Sequence, residues 1–194
     1  MRWSIYLLAC LIALAFDASV GGILRIGEAQ PRLVLAVVVF ALLSAPRIHA
    51  LRVAFLAGFL TDLLAPAIRP DGTQLVVIGP WTLGFALGAL AVVPLRSLLY
   101  HRNPIASGFA TAVFGTLAAV VFVAIWVLRM MLLKDETPAW WPGTNAGETT
   151  RQVKSAIASG ALAVPAIWIL ERTKGIWAFS TAKRVIPAVS REMP

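Results

Sequence analysis

Residues 31–64 read PRLVLAVVVFALLSAPRIHALRVAFLAGFLTDLL, two apolar runs joined by a basic corner at Pro46 and Arg47. The first run covers residues 33–45 and the second residues 48–64, and the second carries one acid, Asp62, near its end. Ala50, Ala54, Gly58 and Asp62 recur at every fourth position, so they share one face of a helix. Leu51, Phe55, Phe59 and Leu63 form a bulky stripe beside it. A face of small residues lets a second helix approach closely. An acid on that face meets protein rather than lipid tails, where it would be costly.

The rest of the chain has the same character. Of its 194 residues 59% are hydrophobic and 13% charged, and the mean hydropathy is +0.83. Soluble domains carry charge on about a quarter of their residues. The recurring apolar runs predict an all-α, polytopic helical membrane protein with about six transmembrane helices. Membrane-spanning strands would alternate apolar and polar residues, and these runs are apolar on every side. The expected organisation is a single helical transmembrane domain over residues 1–171, then a basic, partly amphipathic tail over residues 172–194. In that tail Ile176, Trp177, Phe179, Val185 and Ile186 alternate with Lys174, Lys183 and Arg184, a mixture suited to the membrane surface.

Other spans are expected at residues 3–24, 75–99, 105–133 and 155–170. The first repeats the small face with an acid, as Ala9, Ala13, Asp17 and Gly21. Its start imitates a signal peptide, with a cleavage-like Ala13-Leu14-Ala15, but apolar character continues to Leu24, which reads as a retained helix. The run 33–45 is short for a bilayer that needs about 20 residues. It borrows its flanks, spans a thinned region, or forms a re-entrant hairpin with the next run. Residues 65–73 hold Pro66, Pro70 and Asp71-Gly72 and read as a turn-rich loop. Gly84 and Gly88 form a GxxxG, a packing surface in an apolar helix. Ala50, Ala54, Gly58, Asp62, Gly84 and Gly88 are therefore the candidate helix-packing and partner-docking residues. Gly108, Ala112 and Thr116 make a further small stripe, residues 134–154 read as a polar stretch, and Pro165 as a kink.

A net charge of +8 on a soluble protein would suggest nucleic acid. Here the cations are scattered among loops and tail, where they act as orientation signals and contacts to anionic head groups. Their distribution predicts both termini on the cytoplasmic side, with Trp81 and Trp126 near the outer boundary.

Asp17 and Asp62 are the intramembrane acids, expected at similar depth near the outward ends of their helices. Such an acid caps a helix end or pairs with Arg25, Arg32 or Arg69, donates a hydrogen bond as a buried neutral acid, or forms a proton or cation site. Catalytic chemistry finds no constellation. His49 and His101 lack partners at HExxH spacing, Ser107-Gly108 does not stand in a GxSxG context, and there is no Walker motif. The lone Cys10 has neither a disulfide partner nor a CxxC neighbour. No catalytic residue, metal ligand or cofactor is expected.

The stretch 31–41, then FLAGFLTDLL at residues 55–64, then LGFALGAL at residues 83–90, resembles the rod shape-determining protein MreD family. The resemblance covers residues 31–90 by motif and nearly the whole chain by size and span count. Two departures are visible, Arg69-Pro70-Asp71-Gly72 inserted where the family turns quickly, and the polar segment 134–154. The resemblance implies a bacterial inner-membrane scaffold without a reaction of its own. Such a scaffold would bind MreC and link MreB to RodA and a class B penicillin-binding protein. A second class stays open. MreD is similar in span count and packing to the substrate-binding subunits of energy-coupling-factor vitamin transporters, and a transporter would bring polar groups together around a midplane cavity.

Overall fold

The computed structural model describes residues 2–25, 27–64, 67–68, 74–99, 103–132 and 145–179. The protein is mostly helical, with six α-helices among the described residues: α1 (Trp3–Ser19), α2 (Leu33–Ser44), α3 (Arg47–Leu64), α4 (Pro80–Leu99), α5 (Pro104–Leu132) and α6 (Asn145–Arg172). Two of them, over Pro104–Leu132 and Ala146–Arg172, are long and apolar enough to cross a membrane, and three shorter apolar helices accompany them. A two-stranded antiparallel hairpin, β1 (Ala67–Ile68) and β2 (Gln74–Leu75), lies between α3 and α4. The loop residues Arg69, Pro70, Asp71 and Gly72, together with Pro66, His101, the segment 133–144 and the tail beyond residue 179, lie outside the described residues.

The architecture is organised around α2, which touches all five other helices. Every residue from Val34 to Leu42 is buried. At 1.5 Å per residue its 12 residues extend about 18 Å. That length would be too short for a helix facing lipid, but a helix wrapped in protein has no hydrocarbon thickness to match. The sequence left three accounts of this short run. In the structure α2 runs antiparallel to α1 and α3 through the middle of the bundle, whichever of the three holds.

The other helices wrap α2 through close approaches of small residues. A Cβ built on Gly58 of α3 would stand 2.6 Å from the Thr82 Cα and the Trp81 carbonyl oxygen of α4. A Cβ on Gly84 would meet the Ala118 carbonyl oxygen of α5 at 2.7 Å, and one on Gly88 would meet the Phe114 ring. Gly108 and Gly160 face each other across α5 and α6, each 2.7–2.8 Å from the other's carbonyl oxygen by the same construction. At Gly58, Gly84, Gly108 and Gly160 glycine is required by the nearness of a neighbour's backbone, not by an unusual φ.

Several boundaries differ from those expected. α1 stops at Ser19 and residues 20–24 form turns, because Gly21-Gly22 favours leaving the helix. α4 starts at Pro80 rather than residue 75, with proline at the first helical position where its missing N–H costs nothing. α6 starts at Asn145, ten residues before the apolar run. Those ten residues, NAGETTRQVK, are mostly polar and hold no proline, and their one glycine, Gly147, falls in the first turn. Glu148 sits in the first turn, where the helix dipole favours an acid, and pairs with Arg151 at i+3. Hydropathy finds the apolar part of a helix and cannot see such an extension.

The chain also stays packed past residue 172. Trp177 is buried edge-on against Phe40 of α2, with ring centroids 5.1 Å apart. Its carbonyl oxygen accepts the Arg2 backbone N–H at 3.1 Å, so the start of α1 and the end of α6 share one end of the bundle. Trp81 at the start of α4 and Trp126 near the end of α5 are buried against neighbouring helices, in an aromatic row with Phe122. The outer faces are apolar. Leu8, Ile12, Leu87, Leu90 and Phe109 are each half or more exposed.

Candidate functional site

At the end of the bundle opposite Trp177, the N-termini of α2 and α4 come together. A helix N-terminus leaves four backbone N–H groups without intrahelical partners. In an apolar setting each must be met by a side chain. Asp17 does this for α2. Its Oδ1 accepts the Leu33 N–H at 2.6 Å and its Oδ2 the Val34 N–H at 3.1 Å. Two serines of α6 extend the cap. The Ser155 Oγ accepts the Gln30 N–H at 3.0 Å, and the Ser159 Oγ accepts the Arg32 N–H at 2.8 Å.

Asp62 does the same for α4, more completely. Its Oδ1 accepts the Trp81 N–H at 2.9 Å. Its Oδ2 accepts the Gly79 and Thr82 N–H groups at 2.9 Å and the Thr82 hydroxyl at 2.6 Å. The side chain is buried. Each acid thus reaches across from the end of one helix to the start of the next. Among the outcomes the sequence allowed, the geometry is that of capping by an acceptor. The groups converging on both carboxylates are N–H and O–H donors.

The two caps meet through Arg32. Its guanidinium lies 4.3 Å from the centroid of the Trp81 ring, directly beside the α4 cap, and its Nη2 donates to Gln152 Oε1 at 3.4 Å. Behind it Glu148 accepts from Arg151 Nε and Nη2 at 2.8 and 2.7 Å and from Gln152 Nε2 at 2.7 Å. The pocket among Arg32, Trp81, Gln152, Ser155 and Ser159 amounts to about 10 Å³, room for about one water and not for an organic solute.

The opposite end of α2 is met by charge of the other sign. Arg96 of α4 donates from Nη1 to the Ala45 carbonyl oxygen at 2.5 Å, at the C-terminus of α2 where the dipole favours a cation. The central helix is held by an acid at its start and a base at its finish, both supplied by neighbours.

The candidate residues fall into two groups. Asp17 and Asp62 are the caps just described. Ala50, Ala54, Gly58, Gly84 and Gly88 are buried, with Gly58 against α4 and Gly84 and Gly88 against α5. The docking surface that the sequence suggested there is filled by the chain's own helices, because a face small enough for close approach is also the one nearest neighbours use first. Arg96, Gln152, Glu148 and Ser155 were not singled out from the sequence. The last three lie at or beside the polar stretch 134–154. Their signal is i, i+4 spacing, as Glu148–Gln152 and Ser155–Ser159, continuous with the apolar run.

His49 packs edge-on to Trp3, with ring centroids 5.5 Å apart, and its Nδ1 is buried without a hydrogen-bond partner. Cys10 is fully buried. Among the described residues no group of three His, Cys, Asp or Glu side chains could hold a metal ion. No protein-family model, curated protein or solved structure matches this chain.

Proposed function

We propose that the protein is a multi-pass inner-membrane scaffold of the bacterial cell-shape and peptidoglycan-elongation complex. In this reading it binds an MreC-like protein and links MreB to the cell-wall synthases RodA and a class B penicillin-binding protein, without a reaction of its own. All six helices cross the bilayer, with α2 enclosed, and both termini lie in the cytoplasm.

The observation that carries the reading is the use made of the two acids. A transporter or an intramembrane enzyme keeps polar groups free to meet a solute. Here the carboxylates are occupied by backbone donors, and the pocket beside them has room for one water. What the molecule offers to other proteins is its outside, with exposed ridges such as Leu83, Leu87 and Leu90 on α4. Placement in a membrane is supported by those ridges and by charge. Arg2, Arg47, Arg52, Arg96, Arg172 and Lys174 lie at the end holding the start of α1, with Glu171 the one described acid there. The opposite end holds the other four described acids among its cations. An excess of cations marks the cytoplasmic side.

The test is co-purification. The tagged full-length protein is co-expressed with the MreC-like protein of the same genome and with an unrelated single-span protein, then recovered in mild detergent. Recovery of the MreC-like protein alone is expected, and depletion in the host should turn rods into spheres. Recovery of neither protein, with cell shape unchanged on depletion, would overturn the scaffold role.

A further inference from the structure

Near the cytoplasmic end of the proposed topology, α1 and α3 leave a groove between them. It is lined by Trp3, Leu51, Arg52, Phe55 and Leu56, has a volume of about 440 Å³ and is almost wholly apolar apart from Arg52. Leu51 and Phe55 are about half exposed, so the groove opens outward from the bundle. Its floor is rigid. The Tyr6 hydroxyl donates to the Val53 carbonyl oxygen at 2.7 Å, pinning α1 to α3, and Trp3 is held edge-on by Tyr6 and His49.

The one charged side chain lining the groove is Arg52, and the bundle end nearby is cationic. Arg2, Arg47 and Arg52 are exposed, and none forms an ion pair with a described carboxylate. Arg47 lies five residues before Arg52, about 7.5 Å along the axis and on a different face of α3. Neither α1 nor α3 has an acid in its first turn, and Arg2 makes no side-chain cap, so both positive helix ends face the same side uncompensated. An apolar slot with one cation on its lining is complementary to the chain and head group of an anionic lipid.

We infer that this groove holds one acyl chain of an anionic phospholipid, whose phosphate is bound by Arg52. The chain lies along Leu51, Phe55 and Leu56, and the Trp3 indole sits at the level of the glycerol backbone, where such rings collect. The lipid would then cover the seam between α1 and α3. The inference rests on the membrane placement proposed above but not on the scaffold role.

The test uses the full chain without partners, reconstituted in vesicles of equal parts phosphatidylglycerol and phosphatidylcholine with identical acyl chains. After extraction in mild detergent, retained lipids are counted by native mass spectrometry. The wild type should retain phosphatidylglycerol preferentially. Arg52→Gln should cut that preference about five-fold, the effect of one cation near a head group. Phe55→Ala should lower retention of both lipids together. Arg25→Gln, an exposed arginine at the other end, should change neither. Thermal melts in detergent confirm that the variants are folded. Equal retention of the two lipids by the wild type, or unchanged preference in a folded Arg52→Gln, would overturn the inference. Release from the vesicles by an alkaline wash would instead overturn the membrane placement itself.

Discussion

Asp62 gathers four donors on two oxygens, close to the most a carboxylate can accept. Asn at that position keeps the size but turns one acceptor into a donor facing other donors. Hydrogen bonds to charged groups contribute about 1.5–3 kcal/mol each, and a buried orphan donor costs a further increment. Asp62→Asn is therefore expected to destabilise the protein by about 3 kcal/mol, read as a lowered melting temperature in detergent. Asp17, half-buried with two donors, should lose less as Asn. Identical melting of Asp62→Asn and wild type would remove the capping argument. Cys10 supplies a second check at this scale. It is fully buried, so a maleimide should label it only after denaturation in sodium dodecyl sulfate. The acids were legible in the sequence because a charge within an apolar run stands out. Their partners were not, since all the donors but the Thr82 hydroxyl are backbone groups of residues 16–20 positions away, and backbone donors carry no sequence signal.

At the scale of helices, backbone contacts decide which glycines matter. Gly58→Ala would drive a methyl group onto the α4 backbone at 2.6 Å, and overpacking of this kind costs about 1–3 kcal/mol. Nothing lies within 4 Å of a Cβ on Gly22, so Gly22→Ala should leave the melting temperature nearly unchanged. Comparable melting of the two variants would show that α3 and α4 are not locked by this contact. The sequence marked the Gly58, Gly84 and Gly88 faces through their spacing, yet it could not say whether their partner was the same chain or another. The ends of α2 make the second point. Arg96→Ala leaves the Ala45 carbonyl without its cation and should cost about 1–3 kcal/mol, visible as earlier loss of helicity on heating. Nothing local to residues 33–45 announces that their C-terminus is met by a residue some 50 positions later.

For the molecule as a whole, alternating helix directions put the start of α1 and the end of α6 together, as the Arg2–Trp177 hydrogen bond requires. With Cys10 replaced by serine, a cysteine placed at exposed Glu28 should react with an impermeant maleimide on intact cells. A cysteine at Lys174 should react only after the inner membrane is opened. The reverse pattern would invert the proposed topology, and labelling of both positions in intact cells would break the even number of crossings.

Composition and periodicity alone determined that the chain is helical, apolar on its outer faces, and built on small-residue stripes interrupted by two acids. Those properties are local, since each follows from residue types within one or two turns. Tertiary structure decided that the shortest run is the enclosed centre, that the acids cap their neighbours, and that the small stripes are spent inside the chain. Each of these depends on which helix lies beside which. Among nearly uniform apolar surfaces that choice is made by a few backbone close approaches and terminal hydrogen bonds between distant positions.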